Sequence, residues 1–130
     1  MKDAFDRLSP TLQYQIVNDL GWDALRPVQE AAIDAILDGF NCVILAPPAG
    51  GKTEAALFPL LSRVDALDLT GTSILYVAPT RALLNNLAPR LRRLTKMLGR
   101  RAMIWHGDVP GSQRRGFITD PADVLATTPE

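Results

Sequence analysis

At 130 residues, 47% of them hydrophobic, the chain is long enough to bury one core and too apolar for a disordered segment. Its 14 basic and 14 acidic side chains cancel, so overall charge points to no nucleic-acid partner, and any such partner must be sought in local clusters. The single cysteine, Cys42, excludes an internal disulfide and fits a reducing, cytoplasmic setting; no apolar stretch is long enough to span a membrane, and the N-terminus lacks the apolar core of a signal peptide.

In chain order, Ser9-Pro10 reads as a helix cap followed by proline at the first helical position. Leu12, Ile16, Val17 and Leu20 then recur at helical spacing until Gly21. A second helix is expected over 28–37, with Gly39 after it. The apolar run Cys42-Val43-Ile44-Leu45-Ala46 predicts a strand, and 52–66 a third helix. Polar turn material over 68–72 leads to Ser73-Ile74-Leu75-Tyr76-Val77-Ala78, whose continuous apolar character predicts a buried strand. Leu83, Leu87, Leu91, Leu94 and Leu98 recur every three or four residues, predicting a helix over 80–98 kinked near Pro89. A short strand at 102–105, a helical turn at 112–118 and a strand at 123–127 complete the pattern. Such alternation predicts an α/β fold, a mostly parallel sheet with helices on both faces.

Between the strand at 42–46 and the third helix lies Ala46-Pro47-Pro48-Ala49-Gly50-Gly51-Lys52-Thr53. A strand, a small-residue loop ending in Gly-Lys-Thr, and a helix together form a phosphate-binding arrangement. Backbone N–H groups of the loop wrap the phosphates, and the helix start adds its partial positive charge. Lys52 would reach the β- and γ-phosphates, and the Thr53 hydroxyl would ligate Mg²⁺. The loop and Glu54 just after it are therefore the expected nucleotide contacts. Two positions depart from the usual pattern. Pro48 has neither an N–H nor a hydroxyl, and Ala49 carries a methyl where glycine would let the backbone come closest.

Four stretches, taken in order over about 25–130, resemble superfamily 2 helicases of the DEAD/DEAH-box type, with the Lhr-like group as the nearest flavour. Arg26-Pro27-Val28-Gln29 resembles the adenine-reading Q motif; Ala46 to Thr53 resembles motif I, usually Ala-x-Thr-Gly-x-Gly-Lys-Thr; Ala78-Pro79-Thr80-Arg81-Ala82-Leu83 resembles motif Ia; and Thr127-Thr128-Pro129-Glu130 resembles motif Ib. Trp105-His106-Gly107-Asp108 resembles a segment that Lhr-like proteins carry between the last two. The resemblance implies two RecA-like domains that close on Mg-ATP while tracking a single DNA or RNA strand. Residues 25–130 would be the first part of the first RecA-like domain, ending at motif Ib, after a helical extension at 1–24. The second RecA-like domain would be a partner elsewhere in a longer chain. The intact protein would then be an ATP-dependent helicase, and residues 1–130 a nucleotide-binding portion that does not unwind.

Each assignment has a plainer rival. The Gln29 amide can meet both the donor and the acceptor on the adenine edge, or be an ordinary polar helix residue. Arg26 and Trp22 are candidate stacking groups, with core packing as the other role for Trp22. Pro79, Thr80 and Arg81, at a strand end and a helix start, suit a phosphate; so do Gly107 and Thr128 by motif order. Their alternative is a capped helix with a solvated arginine. Arg90, Arg92, Arg93, Lys96, Arg100 and Arg101 read as a solvated helix face, and His106 as a turn residue rather than a zinc ligand. Two other functions remain open at this point: a P-loop ATPase or nucleotide-binding module with no nucleic-acid role, and a binding domain whose phosphate loop has decayed.

Overall fold

The computed structural model describes residues 3–107 and 109–129. Asp108 and Glu130, both within the resembling motifs, and residues 1 and 2 of the expected extension lie outside the described residues. The chain divides into two compact units, with the break between Asp68 and Leu69.

The first unit is helical. A 3-10 turn (Phe5–Arg7) precedes α1 (Pro10–Asn18), α2 (Pro27–Leu37) and α3 (Lys52–Ala66). Ser9 caps α1 as expected, its Oγ accepting from the Leu12 N–H at 3.4 Å, and Pro10 takes the first helical position, where no N–H is needed. The Ser9 N–H donates to the buried Ser62 Oγ at 2.7 Å, tying the start of α1 to α3. Leu12, Ile16, Ile33, Leu57, Phe58, Leu61 and Val64 form the core, none more than 1% exposed. Trp22 lies edge-on to Phe58, ring centres 5.5 Å apart, so its ring serves packing. Arg7 bridges Asp38 at 2.6 Å and Asp34 at 2.8 Å, and these hydrogen bonds, Asp38 first, raise its already high pKa. Residues 5–22 thus share a core and an ion-pair network with the helices that flank the phosphate loop.

One expected element is missing from this unit. Residues 42–46 form no strand; Val43 and Leu45 are each 84% exposed and Cys42 is exposed as well. A strand exists only against a partner edge, and no described strand pairs with this run. The apolar composition that predicted it states a preference, and preference without a ladder leaves extended chain.

The second unit runs β1 (Ile74–Val77), α4 (Arg81–Met97), β2 (Ala102–Trp105), α5 (Gly111–Thr119), β3 (Val124–Thr127). The strands pair in the order β1-β3-β2, both pairs parallel, with Ile74 and Ala102 opposite Val124 and Val77 and Trp105 opposite Thr127. Alternation then sorts the side chains by face. Ile74, Val124, Ala126 and Ile104 are buried, whereas on the other face Leu75 and Val77 are 63% and 50% exposed. The continuous apolar run at 73–78 is therefore a one-sided edge strand, not a strand buried on both faces. α4 packs on β2 and β3. It crosses Pro89 as a single helix, and its buried stripe is Leu84, Ala88, Leu91, Leu94 and Thr95, leaving Leu83 half exposed. The leucine spacing identified the helix but placed the start of its inner face one residue early. α5 is a nine-residue helix, longer than the expected turn.

Candidate nucleotide loop and nucleic-acid edge

The phosphate loop enters α3 where the sequence predicts. Lys52 is the first helical residue, exposed, with Thr53 behind it, half-buried, and Glu54 in the same turn. Gly51 caps the helix at φ 84°, a left-handed conformation that glycine adopts without strain. Ala49 is also left-handed, at φ 59°. Here its methyl costs on the order of 1–2 kcal/mol, because L-residues crowd the carbonyl in this region. The Gly50 N–H donates to the Pro47 carbonyl at 2.9 Å, closing a turn with Pro48 second and a positive φ third, the type II pattern. Proline at 48 thus has a local reason: its ring pre-sets the backbone of the second turn position. Both glycines are required by space. A Cβ on Gly50 would meet the Pro47 carbonyl at 2.6 Å, and one on Gly51 would meet Gln29 Nε2 at 2.5 Å. Left-handed residues thus flank Gly50, whose own N–H is engaged by the Pro47 carbonyl.

Gln29 and Arg26 hold this loop from α2. Gln29 is fully buried; its Oε1 accepts from the Arg26 N–H at 2.9 Å and its Nε2 donates to the Gly51 carbonyl at 3.3 Å. Arg26 Nη1 donates to the Ala49 carbonyl at 2.7 Å. The two residues singled out by the Arg-Pro-Val-Gln sequence therefore clamp the loop at Ala49 and Gly51, on either side of Gly50. Ala46 and Pro47 lead into the turn, with Pro47 supplying its accepting carbonyl.

The second group gathers at one edge of the sheet. Because β1, β3 and β2 are all parallel, their carboxyl ends share that edge, where open α/β sheets bind ligands. Ala78-Pro79-Thr80 follows β1, His106-Gly107 follows β2 and Thr128 follows β3. The Ala78 N–H donates to the Thr127 carbonyl at 2.8 Å and the Thr127 hydroxyl to the Trp105 carbonyl at 2.7 Å, so the three strand ends are cross-bonded. Thr80 caps α4, accepting from the Leu83 N–H at 3.2 Å. Arg81 opens that helix, and its guanidinium lies so close to Gly107 that a Cβ there would sit 2.7 Å from Nη2. Thr128, which follows β3, is buried, at 8% exposure.

The basic run behaves differently. Arg100 is engaged by Asp123 at 3.1 Å and the Leu69 carbonyl at 2.6 Å, and Arg101 by Asp120 at 3.0 Å. Arg92 and Lys96 are exposed on α4. His106 sits in the turn after β2, its carbonyl accepting from the Val109 N–H at 3.0 Å and from Arg114 Nη2 at 2.9 Å. Sequence reasoning left Arg114 open between a nucleic-acid patch and a solvated face, and gave Thr127 only its place in the motif Ib resemblance. No periodicity joins Arg114 to Trp105, nine positions away, so only the folded turn reveals their contact.

Comparison with known proteins agrees with this arrangement. The DEAD/DEAH box helicase family model matches residues 26–130, and the chain belongs to that family. Over 119 residues it is 37% identical to the Lhr helicase/probable uracil glycosylase of Mycolicibacterium smegmatis, covering 80% of this chain and 8% of that protein. Over 129 residues it is 34% identical to the ATP-dependent RNA helicase DbpA of Escherichia coli, covering 97% of this chain and 28% of that protein. The structure of Mycobacterium smegmatis Lhr bound to ssDNA and AMP-PNP superposes with a TM-score of 0.84 at 32% identity, over 98% of this chain and 18% of that one. The fold is accordingly the α/β, RecA-like fold of helicase domains, and the chain spans a minor part of the relatives it matches. No helix among the described residues is long and apolar enough to cross a membrane.

Proposed function

We propose that the chain is the ATP-binding portion of an ATP-dependent nucleic-acid helicase or translocase, spanning the first part of a first RecA-like domain. Lys52 would hold the β- and γ-phosphates, and the Thr53 hydroxyl would ligate Mg²⁺, with the backbone of Ala49 to Gly51 around them. Bound Mg-ATP supplies the phosphoryl group whose transfer is favoured by positioning and charge stabilisation. The loop fits such a ligand by one observation in particular: left-handed residues flank Gly50 beside a helix start that presents Lys52. Phosphates would have to win the Gly50 N–H from the Pro47 carbonyl, so binding is expected to open the turn. Gln29 would meet adenine once its amide leaves Gly51. A DNA or RNA single strand would lie along the edge formed by Pro79, Thr80, Arg81, Gly107 and Thr128, contacted through its phosphates. A second RecA-like domain of a longer chain would complete the catalytic set.

The observation that carries the nucleic-acid half is the convergence of three weak motifs, far apart in sequence, on one cross-bonded sheet edge. Calorimetry with Mg-ATP and anisotropy with single-stranded DNA and RNA test the two halves separately. Nucleotide binding without either nucleic acid at low salt would favour the module with no nucleic-acid role. Binding of neither would favour a decayed loop, the reading to which the closed Pro47–Gly50 turn lends weight.

A further inference from the structure

We propose that Arg114 is a positioning residue for the nucleic-acid edge, fixing the turn after β2 so that Gly107 offers the bed on which the Arg81 guanidinium rests. The inference rests on the nucleic-acid reading above and deepens it by naming what aims its one arginine contact.

Arg114 stands on α5 and reaches back to the end of β2. Its Nη2 donates to the His106 carbonyl at 2.9 Å, and its guanidinium carbon lies 5.6 Å from the centre of the Trp105 ring. Phe117, one turn further along α5, meets the same indole edge-on at 5.5 Å. The His106 carbonyl also accepts from the Val109 N–H at 3.0 Å, so two donors hold one oxygen in the turn. The next residue is Gly107, and there is no room between its Cα and Arg81 Nη2 for even a methyl group, which would sit 2.7 Å away. The Arg81 tip and the Gly107 backbone are thus close neighbours, and the position of the 106–107 backbone sets the space open to Arg81 Nη2 on that side.

Arginine suits this task because its planar group stacks on an aromatic face while its fork donates sideways. Lysine offers a point charge without the planar group that stacks. Arg114 Nε is buried and makes no hydrogen bond among the described residues, and a buried donor without a partner weakens a fold. The contacts to Trp105, the last residue of β2, and to the His106 carbonyl in the turn that follows hold the side chain at that strand end.

The test uses the full 130-residue chain and a fluorescein-labelled oligothymidylate of about twelve nucleotides, within the usual single-strand site size. Anisotropy at low salt is measured for wild type, Arg81→Ala, Arg114→Lys, the double variant and Gly107→Ala, with a thermal melt of each. Arg81→Ala should weaken binding about ten-fold, the loss of one charge-assisted contact. Arg114→Lys should weaken it about three- to ten-fold without a matching fall in melting temperature. The double variant should bind no worse than Arg81→Ala, because Arg114 acts through Arg81. Gly107→Ala, whose Cβ meets the flexible tip of Arg81, should weaken binding in the same direction but by less than Arg81→Ala. Wild-type affinity in Arg114→Lys, or losses that multiply in the double variant, would overturn the positioning role while leaving the edge intact. Wild-type affinity in Arg81→Ala would bring down the nucleic-acid reading and this inference with it. Should Arg114→Lys fail to fold, Arg114→Gln keeps a donor for the His106 carbonyl and is judged by the same outcomes.

Discussion

The two compact units carry opposite charge. Residues 1–68 hold ten acidic and five basic side chains, and residues 69–130 hold four acidic and nine basic. The net charge of zero is a cancellation between regions, not an even mixture. The difference accords with the function proposed for each region. A strand of nucleic acid is bound through many phosphates and rewards a basic surface. A nucleotide's phosphates are few, and a single lysine, a helix start and a metal ion suffice to hold them. The helical unit accordingly presents Lys52 at a left-handed loop, and the sheet unit presents Arg81 at a strand edge.

This contrast can be broken at several levels. The largest effect is expected at Phe58, fully buried in the helical unit and packed against Trp22. Phe58→Ala should cost about 3–5 kcal/mol in chemical denaturation, the usual penalty for emptying a core aromatic site. A loss under about 1 kcal/mol would mean that the unit is not organised around α3.

Next, Lys52→Ala should remove a charge-assisted phosphate contact of about 1.5–3 kcal/mol, at least ten-fold in Mg-ATP affinity by calorimetry. Its affinity for single-stranded DNA should stay that of the wild type. Parallel losses of both ligands would refute the division of labour between the units.

Salt sharpens the same comparison without mutation. A four-fold rise in salt should weaken single-strand binding about two- to three-fold for every phosphate contacted, whereas Mg-ATP affinity should change less. Equal sensitivity of the two ligands would argue that the basic half is not the strand-binding half.

The smallest effect concerns the strained turn. Ala49→Gly relieves a left-handed alanine but loosens the unfolded chain, so a net gain of about 0.5–1 kcal/mol in a melt is expected. Adding Pro48→Thr should further tighten Mg-ATP, since a backbone N–H becomes available where proline has none. Weaker or unchanged nucleotide binding in the double variant would show that the native loop is already competent as spelled.

Much of this protein was determined by local sequence. The bounds of α3 match the expectation at both ends, because Gly51 before and the end of the amphipathic run after are encoded within a few residues. The Ser9 and Thr80 caps and the parallel alternation of strands and helices were legible for the same reason: each depends on neighbours along the chain. What needed the tertiary structure was everything that depends on partners elsewhere. An apolar run at 42–46 has strand character but pairs with no strand among the described residues, and 73–78 is apolar throughout yet buried on one side only. The clamp of Gln29 and Arg26 on the phosphate loop spans more than twenty residues, and the contacts of Arg114 with Trp105 and of Arg81 with Gly107 span nine and twenty-six. Local pattern records how a segment prefers to bend; which groups then meet is decided by packing, where hydrogen bonds and shape must be satisfied between segments that share no periodicity.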